Sequence, residues 1–123
     1  LWENARSKMK TPIQKKIWVE EVPQSKHLIY SGISALSRYT NLSEDPKQTY
    51  AVNTDIYKQM KRDNMLIGEN KRYGQIELEI WKYDPEILKT GEKVDPISLY
   101  LSMMNNEDER VEQALEQMMN ELW

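Results

Sequence analysis

The sequence predicts a mixed α/β domain: a mixed or largely antiparallel sheet packed with helices and ending in a C-terminal helical hairpin. Short stretches rich in β-branched and aromatic residues alternate with stretches of helical apolar spacing, which is typical of strands and helices that succeed one another. The segment 75–83 has the strict two-residue alternation of a strand. A chain of 123 residues is long enough for one hydrophobic core, so we expect a single domain over residues 1–123.

Three strands are predicted from composition and alternation. The first covers Gln14–Val22 and the second covers Thr49–Val52. The third covers Gln75–Tyr83, where apolar residues alternate with Glu77, Glu79 and Trp81, so we expect one buried face and one largely wet face. The short segment Met65–Ile67 is expected to pair with this third strand as a hairpin. The sheet core should contain Ile17, Val19, Tyr50, Val52, Ile76, Leu78 and Ile80.

Helices are predicted between and after these strands. One covers residues 31–41, with Ser31 or Gly32 as its cap after an extended entry at 28–30, and another covers 55–62 with Thr54 as its cap. Asp95-Pro96 should begin a third helix, and a fourth should run from about 106–109 to Leu122. A short helix is also expected over residues 2–10. The helices should cover the sheet with Leu36, Ile56, Met60, Leu101, Leu115 and Met119.

The residue inventory excludes several kinds of chemistry. The chain has no cysteine, which removes disulfides, thiolate nucleophiles and cysteine-based zinc or iron–sulfur sites. Its one histidine, His27, excludes a two-histidine metal site, and we interpret it as a surface or strand-edge residue. The glycines are too dispersed for the usual phosphate-binding loops. We therefore expect no cofactor and no enzymatic activity. The apolar runs are too short to span a membrane, and we expect a cytoplasmic location.

Charge is distributed unevenly along the chain, although the net charge is only −3. A basic run without acids lies near the N-terminus, and residues 84–123 are rich in acids. Such a run can contact phosphate, or it can be an ordinary solvated surface around Thr11-Pro12. A pI near 5.3 is not typical of a domain that binds nucleic acid by itself. The candidate nucleic-acid-binding residues are Arg6, Lys8, Lys10, Lys15 and Lys16.

Two further sets of residues suggest other functions. Glu77 and Glu79 on one strand face, near Lys82 and Asp84, could hold a divalent metal in a nuclease, although alternation places Lys82 on the opposite face. The C-terminal helices carry methionines that either fill the core or form an adaptable partner surface. The candidate interaction residues are Met118, Met119, Leu122 and Trp123.

Three stretches of the sequence carry a family resemblance: Tyr30–Leu36, Tyr39–Leu42 and Thr49–Val52. They resemble the part that follows the winged helix in AbiEi-type antitoxins and related predicted bacterial transcriptional regulators. The stretch Val94–Arg110 resembles helix-turn-helix relatives of that group. The chain begins with Leu1 rather than Met, so we expect it to be the C-terminal companion domain of a longer winged-helix protein.

The resemblance implies a non-enzymatic regulatory domain that mediates dimerisation, partner control or auxiliary DNA contact. DNA would be bound through the full-length protein, a toxin or another protein is a possible partner, and a homodimer is a possible assembly. The resemblance carries no catalytic residues onto this chain. The predicted helices 31–41 and 55–62 are separated by a strand, so they do not form a helix-turn-helix of their own. The alternatives are a protein-interaction module without a DNA role and, less favoured, the metal-dependent nuclease.

Overall fold

The computed structural model describes residues 11–69 and 74–122, which form a four-stranded mixed sheet with helices packed on it. This confirms the predicted mixed α/β class and the C-terminal helices. The helix predicted over residues 2–10 lies outside the described residues. The strands are β1 (Ile13–Val19), β2 (Ile29–Tyr30), β3 (Gln48–Asn53) and β4 (Ile76–Trp81). The helices are α1 (Gly32–Tyr39), α2 (Thr54–Arg62), α3 (Pro96–Met103) and α4 (Glu109–Leu122).

The strand order in the sheet is β1-β4-β3-β2. β4 is central and pairs antiparallel with β1 and parallel with β3, and β2 pairs antiparallel with β3. The predicted hairpin between Met65–Ile67 and the third strand is wrong, because both edges of β4 are already occupied by β1 and β3. Ile67 instead bridges Glu21, just beyond the end of β1.

The approach of the chain to β4 depends on a glycine. Gly74 lies so close to β1 that an added Cβ would come within 2.6 Å of the backbone oxygen of Val19. Real side chains do not tolerate that distance, so a residue other than glycine would push the two strands apart.

The two faces of the sheet are covered by different helices. The face that carries Ile17, Leu78 and Ile80 packs against Tyr57 of α2, as the core prediction requires. The opposite face, here called the helical face, packs through Trp81 and Ala51 against α1, α3 and α4. The prediction that this second face is largely wet is wrong for its central part: Glu79 is 2% exposed and Trp81 is 1% exposed. Three helices cover this face, which the alternation of one strand cannot reveal.

The N-terminal cap of α3 is the predicted one, whereas the cap of α2 differs from the prediction. Asp95 caps α3 by accepting the backbone N–H of Ser98 at 2.9 Å, and Pro96 is the first helical residue, as predicted. The predicted cap of α2 is wrong by one residue. The Asn53 side chain accepts the backbone N–H of Ile56 at 2.8 Å, and Thr54 is already helical.

The remaining core predictions agree with the structure in most places. Leu36, Met60 and Leu115 are buried, whereas Leu101 and Met119 are only partly buried. α3 and α4 pack against each other and against α1, which confirms the C-terminal helical hairpin. In the described part of the chain, no helix has the length and apolar character needed to cross a membrane.

Candidate functional site

A cavity of about 380 Å³ lies on the helical face, over the part of the sheet formed by β1, β3 and β4. Strand register explains its floor and walls. Lys16 lies opposite Glu79, and Trp18 lies opposite Glu77, across the antiparallel β1–β4 pair. Thr49 lies beside Glu77 across the parallel β3–β4 pair. Directly paired residues share one face of a sheet, so these five side chains point to the same side.

Loops and helix ends complete this space, which we call the polar cavity. The start of α1, the loop before β3 and the connection between α3 and α4 each contribute part of the wall. Charged and amide side chains predominate over apolar ones. The residues that complete the lining are Gly32, Ile33, Asp45, Lys47, Ser102, Met103, Asn105 and Asn106.

Glu79 is the buried acid of this cavity. Its Oε1 accepts a hydrogen bond from Ser31 Oγ at 2.6 Å and another from Trp81 Nε1 at 3.1 Å. Burial raises the pKa of the Glu79 carboxyl, and these two hydrogen bonds together with the Lys16 charge act in the opposite direction. Ser31 is the N-cap residue of α1, yet its hydroxyl makes no capping bond because it is directed at Glu79.

The other charged groups of the cavity also have interaction partners. Lys16 Nζ lies 3.8 Å from Glu77 Oε1, and both side chains keep contact with solvent. Lys47 Nζ lies 4.9 Å from the centre of the Trp18 ring, within the range of a cation–π interaction. Asp45 Oδ1 accepts the backbone N–H of Lys47 at 2.8 Å, which fixes the loop that carries this lysine.

The cavity does not have the arrangement of a hydrolase. Ser31 donates to a carboxylate, as a nucleophile paired with a base would, but Ser31 is fully buried and no substrate can reach its hydroxyl. His27 lies elsewhere, with Nδ1 2.7 Å from Glu86 Oε2. This contact joins two loops that are far apart in the sequence, and the partly exposed His27 lies two residues before β2.

The set of residues predicted for a metal nuclease is not brought together. Glu77 and Glu79 both line the cavity, but Lys82 and Asp84 do not. Asp84 instead accepts the backbone N–H of Glu86 at 2.9 Å in the turn after β4. In residues 11–69 and 74–122, no group of three or more histidine, aspartate or glutamate side chains is placed to hold a metal ion.

The basic run is only partly described. Arg6, Lys8 and Lys10 lie outside the described residues. Lys15 and Lys16 are neighbours on β1 and therefore face opposite sides of the sheet. Lys15 Nζ lies 5.8 Å from the Tyr57 ring on the α2 side, whereas Lys16 borders the polar cavity. The two lysines thus do not form one basic surface.

The candidate interaction residues are also separated. Met118 is 3% exposed and belongs to the core, and Met119 is partly buried against it. Leu122 is exposed, and Trp123 lies outside the described residues. Of the four residues predicted for association, Leu122 is therefore the described one that offers an exposed apolar side chain.

The sequence reasoning missed Ser31, Trp18 and Lys47 as parts of a site. Ser31 and Glu79 are 48 positions apart, so no local pattern connects them. Glu79 carried no distinctive local signal, because Glu77 and Glu79 both alternate with apolar residues as on a strand with one solvated face. Such a position requires partners if the second face of the strand is covered.

Comparisons of the chain with protein-family models, with curated proteins and with solved structures found no significant match. The cavity and its buried acid are therefore the observations from which a function can be argued.

Proposed function

We propose that this chain is a non-enzymatic regulatory domain of a bacterial DNA-binding transcriptional regulator or antitoxin, and that the polar cavity is its regulatory site. The observation that carries this proposal is the Glu79 carboxyl, buried at a cavity with charged walls and without an accessible nucleophile. The assignment to a DNA-binding regulator rests on the resemblance in residues 30–52.

The cost of burial explains why a bound cation would stabilise the charged form of this carboxyl. Removing a carboxylate from water costs several kcal/mol unless partners replace the lost hydration. Two hydrogen bonds replace it in part, and the Lys16 ammonium lies closest to Glu77 rather than to Glu79. A bound group that completes the environment of Glu79 would therefore stabilise the folded domain, and that gain is what a regulatory ligand requires.

An auxiliary DNA contact is the part of the proposal that the chain itself can test. Fluorescence anisotropy with a labelled duplex should show weak binding that falls steeply with salt, because only phosphate contacts are involved. Replacing Arg6, Lys8 and Lys10 of the N-terminal run with glutamine should weaken it most. A matched control replaces Lys58, Lys61 and Lys82 with glutamine. Tight, sequence-specific binding by this chain would contradict a companion role, and equal losses in both variants would remove the N-terminal run from the proposal.

A protein-interaction module is the second candidate, and the exposed side chain of Leu122 favours it. Deleting α4 would not test it fairly, because Val111 and Leu115 of that helix belong to the core. Leu122→Lys leaves the core intact and should lower the oligomeric mass in light scattering if the helix end forms an interface. Glu116→Lys, also on the exposed side of α4, is the matched control. An unchanged mass for Leu122→Lys would exclude this helix end as the interface.

A further inference from the structure

We infer that the polar cavity binds a small zwitterion, a ligand that carries one ammonium group and one carboxylate group. This inference rests on the proposed regulatory function and adds the class of ligand. Four features of the cavity carry it: a buried acid, a lysine held over an aromatic ring, the mixed signs of the remaining wall, and the size of the space.

The first feature is the acid, which selects the ammonium end. Among the residues that the structure describes, Glu79 has no cation within ion-pair distance, whereas Glu77 has Lys16 at 3.8 Å. Both hydrogen bonds to Glu79 come from neutral donors, a hydroxyl and an indole N–H. A carboxylate in these surroundings gains more from a cation than an exposed one does, because water screens the attraction less.

The second feature is the lysine, which selects the carboxylate end. Within residues 11–69 and 74–122, Lys47 has an aromatic partner, Trp18, but no carboxylate within ion-pair distance. The nearby Asp45 carboxylate is engaged with the backbone N–H of Lys47 through Oδ1. The first residues of α1, Gly32 and Ile33, line the same space, and the start of a helix carries partial positive charge. An anionic group in this part of the cavity would be attracted by the Lys47 ammonium and by the start of α1.

The third feature is the mixture of signs, which favours a ligand that carries both charges over a ligand of a single charge. Two lysines and three acids line the cavity. A simple cation attracted by Glu79 would be repelled by Lys16 and Lys47, and a simple anion attracted by Lys47 would be repelled by the acids. A zwitterion with the right separation meets an opposite charge at each end.

The fourth feature is the size and neutral chemistry of the space. A volume of about 380 Å³ lies within the range for small-molecule sites, so it has room for a small polar ligand together with water. Ser102, Asn105 and Asn106 add neutral donors and acceptors to the wall. These groups can orient a polar ligand without adding charge of either sign.

Calorimetry on the 123-residue chain tests the inference with a graded series of zwitterions: glycine, 3-aminopropanoate, 4-aminobutanoate and 6-aminohexanoate. Each has an amine analogue without the carboxylate and a carboxylate analogue without the amine. We expect one length to bind best, and each of its singly charged analogues to bind at least about tenfold more weakly. Binding of an analogue as tightly as its zwitterion would overturn the inference, and so would the absence of binding across the whole series.

Two variants test which residue binds each end of the zwitterion. Glu79→Gln should lower the affinity for the best zwitterion to that of its carboxylate analogue, and Lys47→Met should lower it to that of its amine analogue. Lys47 is exposed, so its replacement tests the inference even if Glu79→Gln does not fold. Glu116→Gln and Lys58→Met, both exposed and absent from the cavity lining, are the matched controls and should bind normally.

The outcomes separate this inference from the function on which it rests. Equal losses in the variants and in their controls would overturn the ligand class. The salt-dependent DNA measurement involves no zwitterion, so its result bears on the regulator proposal alone. Binding of a zwitterion without any DNA contact would support the ligand class and contradict the auxiliary DNA role.

Discussion

Replacing Ser31 with alanine tests the buried hydrogen bond on which the candidate site depends. The Ser31 hydroxyl donates to Glu79 Oε1 at 2.6 Å, and both residues are buried. Removing this donor leaves a buried acceptor without one of its partners, which costs roughly 1–3 kcal/mol, so we expect Ser31→Ala to lower the free energy of unfolding by about 2 kcal/mol. Loss of a helix cap does not add to this value, because the Ser31 side chain makes no capping bond.

The loss should depend on pH with a defined sign. Burial raises the pKa of Glu79 in the folded state, so folding favours the protonated carboxyl, and stability falls as pH rises from the ordinary glutamate value through the raised one. The Ser31 bond lowers this pKa, so Ser31→Ala raises it further. The destabilisation should therefore be larger at a pH above the raised pKa than at about pH 4, below the ordinary glutamate pKa of roughly 4.3. Lys16 and Glu77, which also act on Glu79, are unchanged in the variant.

Urea denaturation of both proteins at the two pH values measures the effect. Ser37→Ala in the same helix is the matched control, because the Ser37 hydroxyl donates to a backbone oxygen of Ser34 at 3.1 Å in a partly buried position away from Glu79. We expect this control to lose about 1 kcal/mol or less, equally at both pH values. A loss of the same size at both pH values for Ser31→Ala, or one no larger than the control's, would refute the reasoning.

Three further predictions concern the rest of the fold. Gly74→Ala should lower the free energy of unfolding by roughly 1–3 kcal/mol, because its Cβ would lie 2.6 Å from the Val19 oxygen, and a chemical denaturation curve measures the loss. Asp95→Ala should cost about 1 kcal/mol in thermal unfolding through loss of the α3 cap, whereas Asp95→Asn should retain most of that stability. Burial is the main cause that raises the pKa values of Tyr50 and Tyr57 to about 12. In an ultraviolet titration, Tyr50→Phe and Tyr57→Phe should therefore each remove a transition near pH 12. The free energy of unfolding should fall as pH rises from 10 toward 12.

Local patterns predicted the elements whose chemistry is contained in a short segment. Asp95-Pro96 predicted the start of α3, because a capping carboxylate and a proline in the first turn act within a few residues. The alternation in residues 76–81 predicted the strand β4 and its Leu78/Ile80 face. Alternation reports that a strand has two faces, but it does not report what covers the second one. The burial of Glu79 depends on helices that come from both sides of β4 in the sequence.

Local patterns do not predict the pairing and order of the strands, for the same reason. β3 and β4 pair in parallel, which requires an intervening connection and leaves no place for the predicted hairpin at Met65–Ile67. Lys47 and Trp18 meet only because β3 and β1 flank β4. The cavity is thus a product of strand order, and each of its charged residues taken separately has the sequence signature of an ordinary surface position.

The position of the cavity indicates how a bound ligand would affect the rest of the domain. Its floor is the sheet, and part of its wall is the segment 102–106, where α3 ends and the chain turns toward α4. A ligand held between Glu79 and this wall would strengthen the docking of the C-terminal hairpin on the sheet, since it would contact both. A regulatory role requires such a difference in contacts between two states. The glutamate is costly where leucine would pack with less penalty, and recognition of a cationic group gives that cost a functional explanation that packing alone does not provide.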